Sequence, residues 1–456
     1  MIFASDFGFR PGNDARENSA ALQRAFDRGG CITVDGRGIA DLSEPVFLSS
    51  DTTVTFENGL YLRRQCSDTP HNNGYVFSNR GAFTGERDRH IRLYGLRILT
   101  NGVECHSGAV QTEKTVPGLN GVISFFHIDG LIVSDFEIMD LPPENFAIHV
   151  CDFDDIVLEN LHIEGRKDAV HLGRGSKFVI RHGVFRTFDD PIALNAHDYS
   201  GSNPQLGWIT DGIVEDCYDL DDTETTGFFA RILAGSWCDW KKGMQVQHSD
   251  TVVCNHRVYR VYMHPDGTVY TSNTPPTHEK GTEVYDGIAW VMVEEGDIYS
   301  CGCRNVVFRD IHLQKKRPYA FSFHFDMDNW SRSVYPGSVM PLQTGITFEN
   351  IDMQAEIPYF IISRTPVDQL RITRSRLIGT QILLFGVGIP GAEYETTEIV
   401  FDGCTFDGGD TPLVRIADNR STTVRAYASS VRDGYVPTAE GNAAILENDI
   451  GLIAKP

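Results

Sequence analysis

The chain has 456 residues, 41% of them hydrophobic, and its 40 Lys+Arg against 62 Asp+Glu give a formal net charge of −22. That surplus repels nucleic-acid phosphates and anionic lipid, so neither is an expected partner, and any anionic ligand needs a local basic site. No apolar run is long enough to span a membrane, and Met1-Ile2-Phe3-Ala4-Ser5-Asp6 lacks the basic region and apolar core of a secretory signal, so a cytoplasmic location is expected.

The first element in chain order is Asn18-Ser-Ala-Ala-Leu-Gln-Arg-Ala-Phe-Asp-Arg28, a short amphipathic helix closed by Gly29-Gly30. It is expected to cap a solenoid within a cap segment of about residues 1–40. From Arg89 onward one pattern recurs: a polar turn, a short β-branched strand, a polar or Gly corner, and a second alternating strand. Its rows start at Arg89, Ile128, Phe153, Gly175, Thr210, Cys303, Gln343, Val367 and Thr396. Between 128 and 195 they return at about 22 to 25 residues, one turn of a parallel β-helix. A third strand follows each row there, at 145–150, 167–172 and 189–194, and these align without gaps. A β-sandwich would instead show hairpin turn dipeptides and no in-register repeat.

The period fails between about 236 and 298. There Val258–Met263, the turn Pro265-Asp266-Gly267 and Thr268–Thr271 read as a β-hairpin, and Asp286–Glu294 as a further strand. The predicted fold is therefore all-β: a right-handed single-stranded parallel β-helix over 1–235 and 299–456, with an N-terminal capping helix and a small inserted antiparallel β module at 236–298. The ten cysteines are scattered, the closest pair being Cys301 and Cys303, which is not a zinc spacing; free thiols, no metal and no cofactor are expected.

The repeat concentrates acids. Stacking the third strands superposes Phe146, Asp168 and Asp190 in one column and Asn145, Lys167 and Asp189 in the next, with rungs ~4.8 Å apart. Three carboxylates so close cannot all ionise without penalty, which raises at least one pKa, as a general acid at neutral pH requires; the others can activate water. Glycoside hydrolysis needs that division of labour. Taken singly, each Asp also fits a turn former, like Asp129, Asp154, Asp155 and Asp211 on other rungs.

Asp6-Phe7-Gly8 and the following helix resemble the N-terminal entry of pectin-degrading β-helices, and Lys167-Asp168-Ala169 with Phe188-Asp189-Asp190 resemble the Asn-Thr-Asp and Asp-Asp motifs of polygalacturonases, glycoside hydrolase family 28. Arg231-Ile232-Leu233 is similar to that family's substrate-binding Arg-Ile-Lys, with Leu233 in place of the Lys, and its Gly-His-Gly is absent. The likeness implies Asp189 as general acid, Asp168 and Asp190 positioning water for inversion, and Arg231 on the substrate. A weaker resemblance, through paired aspartates and the inserted module, is to glycoside hydrolase family 110, inverting α-galactosidases.

His197, in Asn195-Ala-His-Asp198, is the nearest replacement for the missing histidine, and an ordinary loop histidine is the rival. His149 and His171 share a column, facing out, either as groove floor or as a surface ladder. Asn195, His149, His171, His197, Arg231 and Trp237 are thus the candidate substrate-binding residues. Arg166, Lys167, Arg174, Lys177, Arg181 and Arg186 form a local basic site for a uronate sugar if they face the groove. Trp208, Trp237 and Trp240, with Phe323-His324-Phe325-Asp326 and Trp330 on a non-repeating loop, either wall one end of the groove or pack the insertion. The expected function is an inverting, exo-acting hydrolase of oligosaccharides or polysaccharides, of pectin uronate or α-galactose type. The alternatives are a Ca²⁺-dependent polysaccharide lyase on the same fold, with the acids as ligands, and a non-catalytic carbohydrate-binding solenoid. Oligomeric state is not legible.

Overall fold

The computed structural model describes residues 2–65, 75–103, 118–199, 202–222, 225–389, 392–409, 411–432 and 434–456. The chain is a right-handed parallel β-helix with few helices, and it divides into two compact units: 1–193 with 211–229 and 309–316, and 194–210 with 230–308 and 317–456.

The first unit begins with the capping helix, Ala15–Phe26. Asp14 sets its start, its carboxylate accepting the Arg16 and Glu17 amides, so the helix opens three residues earlier than the apolar spacing alone suggests. Ala21, Leu22, Ala25 and Phe26 form its buried face, against the strands Gly38–Leu42 and Val46–Leu48. Gly29 and Gly30 follow at φ 62° and 73°, a conformation that ends the helix at little cost only for glycine.

Long parallel strands follow. Gly121–Leu141 pairs with Phe146–Gly165 at an offset of 25 residues (Ile123↔Ile148, Leu131↔Ile156), and Phe146–Gly165 pairs with Gly175–Thr187 at 22 (Ile156↔Phe178, Leu158↔Ile180). Equal offsets along each strand put like residues in columns, so Leu131, Ile156 and Phe178 stack as one buried row, and Val133, Leu158 and Ile180 as the next. Each such side chain contributes about 1.5–3 kcal/mol by leaving water. At one corner of each of four rungs a residue sits in the left-handed region: Asp135, Asn160, His182 and Asp216 at φ 50–57°. Asn, Asp and His enter that region more readily than other L-residues, which explains the polar corner in the repeat.

The acidic excess is partly consumed rung to rung. Asp152 meets Arg174, Asp154 meets Lys177, Glu159 meets Arg181 and Glu164 meets Arg186, each across one turn of the helix. These pairs correct the expected groove-lining basic site: a cation 22 residues after an acid lands beside it and is neutralised there.

In the second unit Ala230–Leu233, Tyr319–His324, Tyr359–Ser363 and Gln381–Leu384 stack in parallel register, continuing to Val414–Ile416 and Thr438–Glu440. Residues 323–324 thus lie on a regular rung rather than a non-repeating loop, and Phe323 and Phe325 are buried while Trp330 is exposed. The rings of Phe308, Phe321, Phe348 and Phe360 pack at 4.6–5.7 Å between centroids inside these rungs.

This unit also holds a five-stranded sheet with antiparallel pairing, drawn from Cys238–Asp239, Thr251–Cys254, Arg257–Val261, Thr282–Tyr285 and Ile288–Glu295. The predicted hairpin is corrected. Arg257–Val261 pairs with Thr251–Cys254 and Ile288–Glu295, whereas Tyr270–Ser272 pairs with Met244–Val246. The true hairpin turns at Asn255-His256, both left-handed at φ 51° and 59°, the geometry of a two-residue turn that normally carries Asn-Gly. His256 there pays a steric cost that Gly does not, and its exposed ring meets the exposed Asp297 carboxylate at 2.8 Å, a surface contact of small energy. His256→Gly should therefore stabilise the protein by about 0.5–1 kcal/mol, read as a higher urea midpoint with an unchanged slope.

The eight described cysteines are free thiols; Cys66 and Cys105 lie outside the described residues. No described helix is long and apolar enough to cross a membrane.

Candidate active site

The acids lie in the turns that lead into the strands Val170–Leu172 and Ile192–Asn195, and their backbone register is the one read from the repeat. Ala147 N–H donates to the Asp168 carbonyl and Ala169 N–H to the Asp190 carbonyl, both at 3.0 Å, so Phe146, Asp168 and Asp190 occupy successive positions of one column. Asp168, Asp189 and Asp190 each place a carboxylate oxygen within 4.8 Å of the other two. Asp168 and Asp190 are buried at 3% and 1% exposure, whereas the Asp189 side chain keeps 24%. One acid thus faces solvent with two recessed behind it.

Each is held by its own contacts. Asp190 Oδ1 accepts the Phe228 N–H at 2.7 Å, and Gly227 must be glycine, since a Cβ there would lie 2.6 Å from that oxygen and 2.5 Å from the Asp189 carbonyl carbon. Asp189 is ion-paired with Lys167 Nζ, and Thr187 Oγ1 donates to the Asp189 carbonyl at 2.8 Å. Lys315, fully buried, donates from Nζ to the Thr187 carbonyl at 2.7 Å. Asp168 Oδ2 meets His171 Nδ1 at 2.9 Å.

Gly227, Phe228 and Lys315 were missed as site residues, and Lys167 was read as one of six groove-lining cations and not as the partner of Asp189. Lys167 had a signal, its place in the column of Asp189; Lys315 had none, being 128 residues from the carbonyl it holds.

His149 and His171 do share a column, but neither is a surface residue: both are buried, at 0% and 1%. This corrects the outward ladder. Alternation with Ile148, Val150, Val170 and Leu172 sends the imidazoles to the opposite face of the strand, where Phe146 lies flat on His171 at 3.9 Å and His149 stands edge-on to it at 4.8 Å. Burial, aided by His171, pushes the His149 pKa well below its ordinary value, so it is neutral; its Nδ1 accepts the Asn120 N–H at 3.1 Å.

Of the six cations expected near the acids, five are ion-paired, and Arg166 lies over the Phe188 ring at 4.9 Å. Phe188 and Arg166, with Met139, Gly165 and Arg186, line an open pocket next in sequence to Asp189.

The remaining candidates belong to the second unit, and three are corrected there by burial. Asn195 is fully buried, donating to Asp198 Oδ2 at 2.7 Å. His197 is fully buried with Nε2 3.3 Å from Arg260 Nη2; burial first, then that guanidinium, push its pKa well below the usual value. Trp237 is 2% exposed and donates from Nε1 to the Ile298 carbonyl, and Trp240, partly buried, packs against the core of the antiparallel module. Asn195, His197 and Trp237, so enclosed, do not contact a sugar, and the packing reading holds for both tryptophans. Arg231 remains partly exposed, but its Nη2 donates to both carboxylate oxygens of Asp326 at 2.8 and 2.9 Å, with Nε 3.2 Å from His324 Nε2.

No protein-family model matches the chain, and no curated protein matches it in sequence. Solved structures do. Polygalacturonase from Erwinia carotovora ssp. carotovora is similar at a TM-score of 0.51 and 10% identity, covering 96% of each chain. The N-terminal fragment of bacteriophage phi29 gene product 12 is similar at 0.52 and 11%, covering 99% of this chain and 71% of that one. These likenesses establish the pectin-lyase-like right-handed parallel β-helix. Because the same fold carries a polygalacturonase and a phage gene product, the function has to be argued from the site.

Proposed function

We propose that the protein is a glycoside hydrolase that inverts the anomeric centre, with Asp189 as general acid and Asp168 and Asp190 as the pair that holds and activates water. The observation that carries this is the cluster of three carboxylates within 4.8 Å, one exposed and two recessed. The exposed acid can reach the glycosidic oxygen of a bound sugar, and to carry the proton it gives there it has to exchange its Lys167 ion pair for the substrate. The recessed pair is too deep to touch an anomeric carbon but is placed to share one water. That depth supports inversion, although closely spaced carboxyl groups alone suit a nucleophile mechanism.

The substrate is an oligosaccharide or polysaccharide. The expectation of exo action rested on aromatic residues walling the groove, and Trp237, being buried, does not support it. The acid cluster could also hold a hard cation, which favours the lyase as a second reading; the Lys167 ammonium already paired to Asp189 weighs against it. Reducing-end assays on aryl glycosides and pectic oligosaccharides test the proposal. New reducing ends without an unsaturated, ultraviolet-absorbing product, insensitive to EDTA, are expected; an absorbing product lost on chelation would select the lyase.

A further inference from the structure

Asp168 and His171 form a pair that the hydrolytic roles above leave without a purpose for the histidine. The contact is 2.9 Å between Oδ2 and Nδ1, with the side chains 4% and 1% exposed, so no water competes for it. The imidazole cannot rotate away. Phe146 stacks on one face at an interplanar angle of 16°, and His149 packs edge-on at 74°.

His149 is itself clamped. Gly121 leaves the space it needs, since a Cβ there would lie 2.8 Å from His149 Cβ, and Asn120 N–H donates to its Nδ1. Asn120 Oδ1 accepts from Asn145 Nδ2 at 3.0 Å, and Asn145 Oδ1 accepts from the buried Arg64 at 3.1 Å. A largely buried polar chain from Arg64 therefore ends on His149, whose ring packs edge-on against the His171 that touches Asp168. Buried networks of this kind hold geometry, because each member left without its partner costs about 1–3 kcal/mol.

We infer that His171 is the positioning residue for Asp168: its Nδ1–H holds Oδ2, fixing the carboxylate plane so that the other oxygen addresses the water shared with Asp190. The role rests on the hydrolase reading of the same site. His171 touches no substrate, so its loss should act on kcat and not on KM.

The test uses full-length wild type, His171→Leu, His171→Asn and Asp189→Asn on whichever glycoside the wild type hydrolyses. Asparagine places its amide nitrogen the same number of bonds from Cα as Nδ1, whereas leucine keeps the packing and removes the donor. The expected result is a kcat about 10–100-fold lower in His171→Leu with KM within about twofold, and recovery in His171→Asn to within about threefold of wild type. A kcat unchanged in His171→Leu, or equal loss in both variants, overturns the assignment and leaves the hydrolase reading intact if Asp189→Asn is inactive. An active Asp189→Asn overturns that reading and this role with it. Should His171→Leu fail to fold, the imidazole ¹H–¹⁵N spectrum of the wild type decides: a protonated His171 Nδ1 supports the contact, and an Nε2-only tautomer overturns it.

Discussion

Asp189→Asn should lower kcat by about 10²–10⁴-fold while leaving the fold, and substrate binding within a few fold, unchanged. Asparagine keeps the size and one acceptor oxygen but has no proton to give to a leaving oxygen. The ion pair it disrupts, with Lys167, is a partly exposed one, each side chain 24% accessible, and such pairs contribute at most about 1 kcal/mol. Activity and stability should therefore separate cleanly. Steady-state kinetics alongside a thermal melt check this, and a variant that loses activity only by losing its melt would show Asp189 to be structural. Binding of the oligosaccharide that persists without turnover in the wild type would instead support a carbohydrate-binding solenoid.

Asp152→Asn should have the opposite profile, with a large loss of stability. Asp152 turns a corner at φ 52°, which asparagine tolerates, so the substitution removes charge and little else. Its carboxylate meets His127 Nδ1 at 2.5 Å, Arg87 at 2.8 Å and Arg174 at 2.8 Å, with 7% exposure. Burial alone pushes its pKa up, but the His127 hydrogen bond and the Arg174 and Arg87 guanidinium groups outweigh it and hold the carboxyl well below the ordinary carboxylate range. Without the charge, both guanidinium groups lose the buried carboxylate they share, Arg87 keeping Asp129 at 2.9 Å, at a cost of about 3 kcal/mol. The pH dependence follows from the sign of the shift. A depressed carboxylate stabilises fully above its unfolded pKa of about 3.9, and that stabilisation drains away as pH falls toward the folded value. Urea unfolding at pH 7 and at pH 3 should show the variant less stable at pH 7 and the gap to wild type narrower at pH 3. An equal gap at both would contradict the charge argument.

Much of this architecture was readable because a solenoid repeats its own constraints. A 22-residue return puts Asp168 and Asp190 in one column whatever the details of the turns, and the backbone hydrogen bonds of Ala147 and Ala169 show that column. Burial was not readable. Strand alternation sends His149 and His171 to the face opposite Val170, but what covers that face comes from Asn120 and from the His149–Phe146 packing, which no local period announces. The enclosure of His197 by Arg260, 63 residues away, is likewise a long-range event. In the antiparallel module Pro265-Asp266-Gly267 is the stronger turn signal, yet the hairpin closes at Asn255-His256, because pairing there follows the packing of Tyr259 and Trp290 in a shared core rather than turn chemistry. The basic cluster misled for a related reason: the period that gathered the cations also delivered an acid to nearly every one.

The central claim is that an exposed Asp189 protonates the leaving oxygen while the recessed Asp168 and Asp190 deliver water from the opposite side of the sugar. Proton NMR of the first product, recorded before mutarotation, tests it most directly. Release of the anomer opposite in configuration to the substrate is the predicted result; release of the same anomer would require a covalent intermediate and would contradict the account.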